Sequence, residues 1–156
     1  MRLVFKEKFT FGLDSYNVFN ESGEIAFTVK RRFSLGKVLE IYDRWGYPIG
    51  RIVSGWFILM PRFKMFAGER YIGEIKKKNS FFRPRYIIDC NGWEMQGNMW
   101  EWHYSIVDAT GGAIATLHKE LAWTDTYTLD VYNDADVLTV LMIVVAIDTE
   151  KENRIY

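Results

Sequence analysis

The chain has 156 residues, 49% apolar, 26% charged and 17% aromatic, with 20 basic and 20 acidic side chains. One domain over residues 1–156 fits that length; it buries roughly 68–70% of its unfolded surface, which excludes global disorder. Three Pro, 12 Gly and a single Cys exclude a collagen-like or disulfide-built scaffold, and lone Cys90 fits a reducing compartment.

Arg2, Lys6, Glu7 and Lys8 interrupt the N-terminal segment before a signal-peptide core can form. The next element is a hairpin. Tyr16–Phe19 leads through Asn20-Glu21-Ser22-Gly23 into Glu24–Phe27. The same pattern returns in Leu39–Tyr42, Asp43-Arg44-Trp45-Gly46 and Tyr47–Ile49, and again in Tyr104–Val107, Asp108-Ala109-Thr110-Gly111 and Gly112–Ile114. Asn or Asp at the first turn position bonds backbone two residues on. Gly at the last takes the left-handed conformation of a type I turn with a bulge. Three such turns predict antiparallel hairpins. Tyr71–Ile75, Arg85–Ile88 and Tyr127–Val131 read as further strands. Trp100, Trp102, Tyr104 and Ile106 alternate with Glu101, His103 and Ser105, as on a half-buried strand. The whole chain yields about twelve short strands, with no low-complexity linker between them.

The last segment breaks this pattern. From Val137 to Ile147 only Thr139 is polar. Seven of these 11 residues are β-branched, which favours a strand. The length exceeds that of ordinary buried strands and predicts a helix, with Asp134-Ala135-Asp136 placed to cap it. Such a helix spans about 16 Å, too little for a ~30 Å hydrocarbon layer. Apolar on every side, it must be buried on every side. A mostly β chain therefore closes into an antiparallel barrel of about twelve strands around a central hydrophobic C-terminal helix.

Charge is balanced in total and uneven along the chain. Residues 1–85 hold 17 basic and 8 acidic side chains; residues 86–156 hold 3 and 12. The densest basic stretch runs from Arg62 to Arg85, with a smaller cluster at Lys30-Arg31-Arg32 and Lys37. Either basic and acidic strands pair and neutralise each other, or the split creates a surface for an anionic partner. Phe63, Phe66, Tyr71, Phe81, Phe82 and Tyr86 interleave with the basic residues; they suit either a lipid interface or the inward face of the strands.

No pattern of catalytic residues emerges. His103 and His118 are read as solvated strand residues, and Cys90 has no sequence neighbour that would activate it. There is no metal-ligand spacing, no complete calcium loop and no phosphate-binding glycine motif. Capping accounts for Asp134 and Asp136 better than calcium ligation does.

Several segments together resemble a known family. They are Ser80-Phe81-Phe82-Arg83-Pro84-Arg85-Tyr86, then Gly92-Trp93-Glu94 with Gly97, then Trp123–Val131, and the closing run to Asp148. This order and spacing looks like the bacterial branch of the LURP-one-related family, over nearly the whole chain. The resemblance implies the fold of the tubby C-terminal domain and the phospholipid scramblases, a twelve-stranded barrel around a hydrophobic helix. It also implies an association with membranes, since tubby-like domains bind phosphoinositides; none of their binding residues carries over to a position here.

The expected protein is thus a non-enzymatic, cytoplasmic binding module without cofactor, metal or nucleic-acid partner, peripheral at the membrane. It docks on anionic phospholipid or a phosphoinositide-like ligand through Arg62, Lys64, Lys76, Lys77, Lys78, Arg83 and Arg85. A protein-interaction scaffold and a small-molecule carrier are the alternatives. An exposed apolar patch marks the first, and a lumen filled by Val137–Ile147 argues against the second.

Overall fold

A computed structural model describes residues 1–6, 15–33, 36–54, 62–78, 85–89, 91–98, 101–120 and 126–154; the side chains of 33 and 151–154 lie outside the description. Twelve strands run in chain order: β1 (Arg2–Lys6), β2 (Ser15–Asn20), β3 (Ile25–Phe33), β4 (Lys37–Asp43), β5 (Pro48–Ser54), β6 (Arg62–Ala67), β7 (Arg70–Lys78), β8 (Arg85–Ile88), β9 (Trp93–Asn98), β10 (His103–Val107), β11 (Ala113–Lys119) and β12 (Thr126–Val131). Each pairs antiparallel with the next, and β1 with β12 closes the barrel. Strand order around the barrel is therefore sequence order.

The three expected turns form, and each follows a bulge. Gly23, Gly46 and Gly111 have φ of 79°, 87° and 84°. Their amides donate to the carbonyls of Asn20, Asp43 and Asp108. Register shifts precede them at Val18/Phe19, Ile41/Tyr42 and Ile106/Val107. The Asp43 and Asp108 carboxylates accept from the amides of Trp45 and Thr110, two residues on. Asn20 departs from this, accepting from Glu24 four residues on. These hairpins, with β6–β7 and β8–β9, gather at one end of the barrel, the turn end.

Helix α1 (Val137–Arg154) enters at the turn end and fills the lumen. Every side chain from Val140 to Ile147 is buried. Inward residues of the strands meet it, among them Leu3, Ile41, Ile52, Met65, Ile75, Ile88, Met95, Ile106 and Leu129. Full burial of each such aliphatic side chain contributes about 1.5–3 kcal/mol, which overrides the β preference of the branched residues. The lumen that a carrier would keep for its ligand is occupied by α1.

Three details differ from the sequence reading. The helix continues past Ile147 to Arg154, because Asp148 and Glu150 find cationic partners inside the barrel. Its start is a 3-10 turn over Asp134–Asp136, capped by Asn133, whose side chain accepts from the Ala135 amide at 3.1 Å. The strand at Tyr104–Val107 begins only at His103, because Trp102 has φ of 57°, a left-handed conformation that ends extended pairing. Trp100 and Cys90 lie outside the described residues.

The helix comes nearest to β5 and β6. Inward-facing Gly50 makes that approach possible: a Cβ there would stand 3.0 Å from Leu138 Cδ1 and 3.3 Å from Met142 Sδ. Gly50→Val should overpack this contact and cost about 1–3 kcal/mol in urea denaturation. An unchanged midpoint would show that α1 does not press on β5.

Candidate functional site

An up-and-down barrel cannot mix the two halves of its chain. Strands from the first half form one side and strands from the second half the other, so they meet only at β8–β9 and β1–β12. The cross-seam ion pairs sit at those two places. Arg85 pairs with Glu94 across β8–β9, and Arg2 Nε donates to Asp130 Oδ1 at 2.6 Å across β1–β12. Arg2 holds the Asp130 carboxyl below the ordinary range through that hydrogen bond. The charge split along the sequence thus becomes a split between two sides of the barrel, offset in part at the seams, by Arg32–Glu40 on the basic side, and by Arg31–Asp148 and Lys77–Glu150 inside the barrel.

The outer face of β6–β8 carries the core of the basic side. Phe63, Met65, Ile75, Tyr86 and Ile88 face inward, so alternation turns Arg62, Lys64, Lys76, Lys78 and Arg85 outward. Register sets Arg62 directly opposite Lys76, and Lys78 opposite Arg85. Cations facing each other across strands repel and destabilise the sheet. Lys64 faces Glu74, and Lys76 Nζ reaches Asp89 Oδ2 at 3.4 Å. Phe66 and Tyr71 stand outside as well, their rings 5.6 Å apart and edge to face.

The wall extends beyond the stretch that the sequence singled out. Arg51 on β5 lies over the Phe66 ring at 4.7 Å, and Lys30 on β3 over the Tyr42 ring at 4.4 Å. Arg32 pairs with Glu40 at 3.2 Å. Lys30 and Arg32 belong to the smaller basic cluster of the sequence. Arg51 is isolated there and joins only through strand order. Arg83 lies outside the described residues.

Lys77 takes a different position from its neighbours. It shares the parity of Ile75 and points into the barrel, where Nζ meets Glu150 Oε1 at 3.1 Å. Arg31, turned inward on β3, meets Asp148 at 3.6 Å. Both pairs close the end of the barrel opposite the turns, around the C-terminal half of α1. Burial pushes the Glu150 carboxyl up to about 7, against the pull of the adjacent ammonium. Beside them the buried Tyr104 hydroxyl is held well above its usual value, first by burial and then by the charge of Asp148. This layer is buried and fixes the depth of the helix; it is not part of the outer wall.

The histidines do not converge with these groups. His103 is exposed on β10, and His118 Nε2 lies 3.3 Å from Glu120. Among the described residues no three His, Cys, Asp or Glu side chains gather as a metal site requires. Among the described residues no helix is long and apolar enough to cross a membrane.

The model of the LURP-one-related family matches residues 1–148. The uncharacterised Bacillus subtilis protein YxjI is 28% identical over 149 residues, which cover 95% of this chain and 92% of the relative. An X-ray structure of the Arabidopsis thaliana protein AT5G01750 superposes with a TM-score of 0.71 at 15% identity, over 96% of this chain and 91% of that one, and so shares the fold.

The inner pairs generate a pH-dependent expectation. A carboxyl whose folded pKa of about 7 exceeds its ordinary 4.5 keeps its proton longer in the folded state. That contribution to stability is present at low pH and is lost as pH rises from about 4.5 to 7. Above pH 7 the buried carboxylate depends on Lys77. Lys77→Met should therefore cost about 3–5 kcal/mol at pH 8 and clearly less at pH 5, in urea denaturation at both values. An equal cost at both would contradict the pairing.

Proposed function

We propose that this chain, which belongs to the LURP-one-related family, is a non-enzymatic binding module that docks on anionic phospholipid surfaces through its basic wall. The observation that carries this reading is the concentration of Arg62, Lys64, Lys76, Lys78 and Arg85 on one outer face, with Arg62 opposite Lys76 and Lys78 opposite Arg85, where Asp89 and Glu94 offset only Lys76 and Arg85. The like charges that remain on this face repel one another, and anions placed among them relieve that repulsion. Phosphate headgroups supply such anions in a dense array. Phe66 beside Arg51 adds an aromatic at the same level. The opposite side of the barrel, which carries Glu120 and Asp130, turns away from the negative surface. The tubby-like and scramblase-like resemblance of the sequence agrees with a peripheral membrane role.

Vesicle co-sedimentation tests the reading. Binding should rise with the fraction of anionic lipid and fade with salt. Each surface Lys or Arg contributes about 1 kcal/mol, so Arg62→Gln/Lys64→Gln/Lys78→Gln should weaken binding by about 100-fold. Lys119→Gln, on the acidic side, should leave it unchanged. Equal pelleting with neutral and anionic vesicles, or with neither, would overturn the proposal.

A further inference from the structure

The exposed large apolar side chains have a common location. Among the described residues they are Met1, Ile25, Trp45, Tyr47, Tyr71 and Tyr132, and all six lie at the turn end. Four of them stand on three consecutive hairpins: Ile25 on β2–β3, Trp45 and Tyr47 on β4–β5, and Tyr71 on β6–β7. Trp45 is 75% exposed, Tyr47 68% and Tyr71 51%. Scattered exposed aliphatics need no explanation; aromatics collected on one rim do.

These rings are presented on ordered backbone. The Asp43 carboxylate accepts from the amides of both Trp45 and Tyr47 at 2.9 Å. The Gly68 amide donates to the Ile49 carbonyl at 2.9 Å and ties the β4–β5 hairpin to β6–β7. Tyr71 is steadied by its edge contact with Phe66, and Arg44 lies 5.5 Å from the Trp45 ring centre. Trp and Tyr held in this way offer large contact area at small entropic cost, and they dominate the energy of protein interfaces.

Charge decides the occupant. Glu21, Glu24, Asp43, Glu69, Asp89, Asp108, Asp134 and Asp136 stand at this end, against Arg2, Arg44, Arg70 and the N-terminal ammonium, which pairs with Asp134 at 3.3 Å, so the balance here is acidic. An anionic bilayer would meet like charge here, and so would the same end of a second copy. A cationic partner meets complementary charge around an aromatic centre. We propose that the turn end is a docking surface for a cationic protein segment bearing apolar side chains, seated on Trp45, Tyr47 and Tyr71. The rim lies at the end of the barrel and the basic wall along its side, and Tyr71, in edge contact with Phe66, stands where the two adjoin. This inference does not depend on the membrane reading.

A labelled amphipathic Lys/Leu peptide is the probe, titrated against the full chain by fluorescence anisotropy, with Glu/Leu and Lys/Ser peptides as controls. The Lys/Leu peptide should bind in a salt-sensitive manner, and both controls should bind at least tenfold more weakly. Trp45→Ala/Tyr47→Ala should weaken Lys/Leu binding by about tenfold or more. Both positions are exposed turn residues, and an unchanged thermal melt checks the fold. Glu21→Gln/Glu24→Gln/Glu69→Gln should weaken binding too, whereas the wall variant Arg62→Gln/Lys64→Gln/Lys78→Gln should not. Wild-type affinity in the rim variant would overturn the proposal. So would self-association that Trp45→Ala/Tyr47→Ala abolishes, which assigns the rim to a second copy. Vesicle binding lost in the rim variant but kept in the wall variant would overturn it as well, and would assign the rim to lipid.

Discussion

A helix with no polar side has to be surrounded, and the rest of the structure follows from that demand. Val140–Ile147 offers apolar side chains in every direction. A sheet laid against one face would leave the other in water. Twelve strands closed into a ring cover all faces at once, and they enclose a lumen too wide for their own side chains to fill. Helix and barrel each solve the packing problem that the other creates. Gly50 leaves the room on β5 into which Leu138 and Met142 of the helix pack. The pairs Arg31–Asp148 and Lys77–Glu150 stop the helix at one depth, since sliding it would strand buried charges.

The meander has a second consequence. In a fold with crossover connections, a charge split along the chain scatters over the surface. Here strand order is sequence order, so the split becomes two opposed sides with seams at β8–β9 and β1–β12. The basic side presents cations in register, and the turn end presents aromatics among acids. A barrel with a closed core has its binding capacity on the outside. On the proposed reading, side and end are two adjoining surfaces that need no movement of the core.

Much of this was legible in the sequence, because it rests on local rules. The Asx-x-x-Gly turns fixed three hairpins and their bulges, and the 11-residue apolar run declared the central helix. What escaped depends on partners distant in the chain. Lys77 sits in a run of three lysines that reads as a uniform basic patch; only the parity set by Ile75 shows that the middle one turns inward. The helix outlasts its apolar stretch because Asp148 and Glu150 meet Lys77 and Arg31, which no local signal contains. Asn133 caps the helix start although the acids beside it looked better placed. Arg51 joins the wall through strand order alone. The rim of aromatics was invisible because Ile25, Trp45, Tyr47 and Tyr71 are well separated in sequence and come together only when the hairpins share one end.

The orientation of the basic wall against a membrane is the central claim, and paramagnetic broadening reads it directly. Anionic vesicles carrying a spin-labelled lipid would be added to isotope-labelled protein, and the loss of each amide signal recorded. With the basic wall against the membrane, loss is concentrated on β3 and β5–β8, around Lys30, Arg51, Lys64 and Lys78, with β10–β12 spared. Loss centred on the acidic side or the turn end, or loss spread evenly around the barrel, would contradict it.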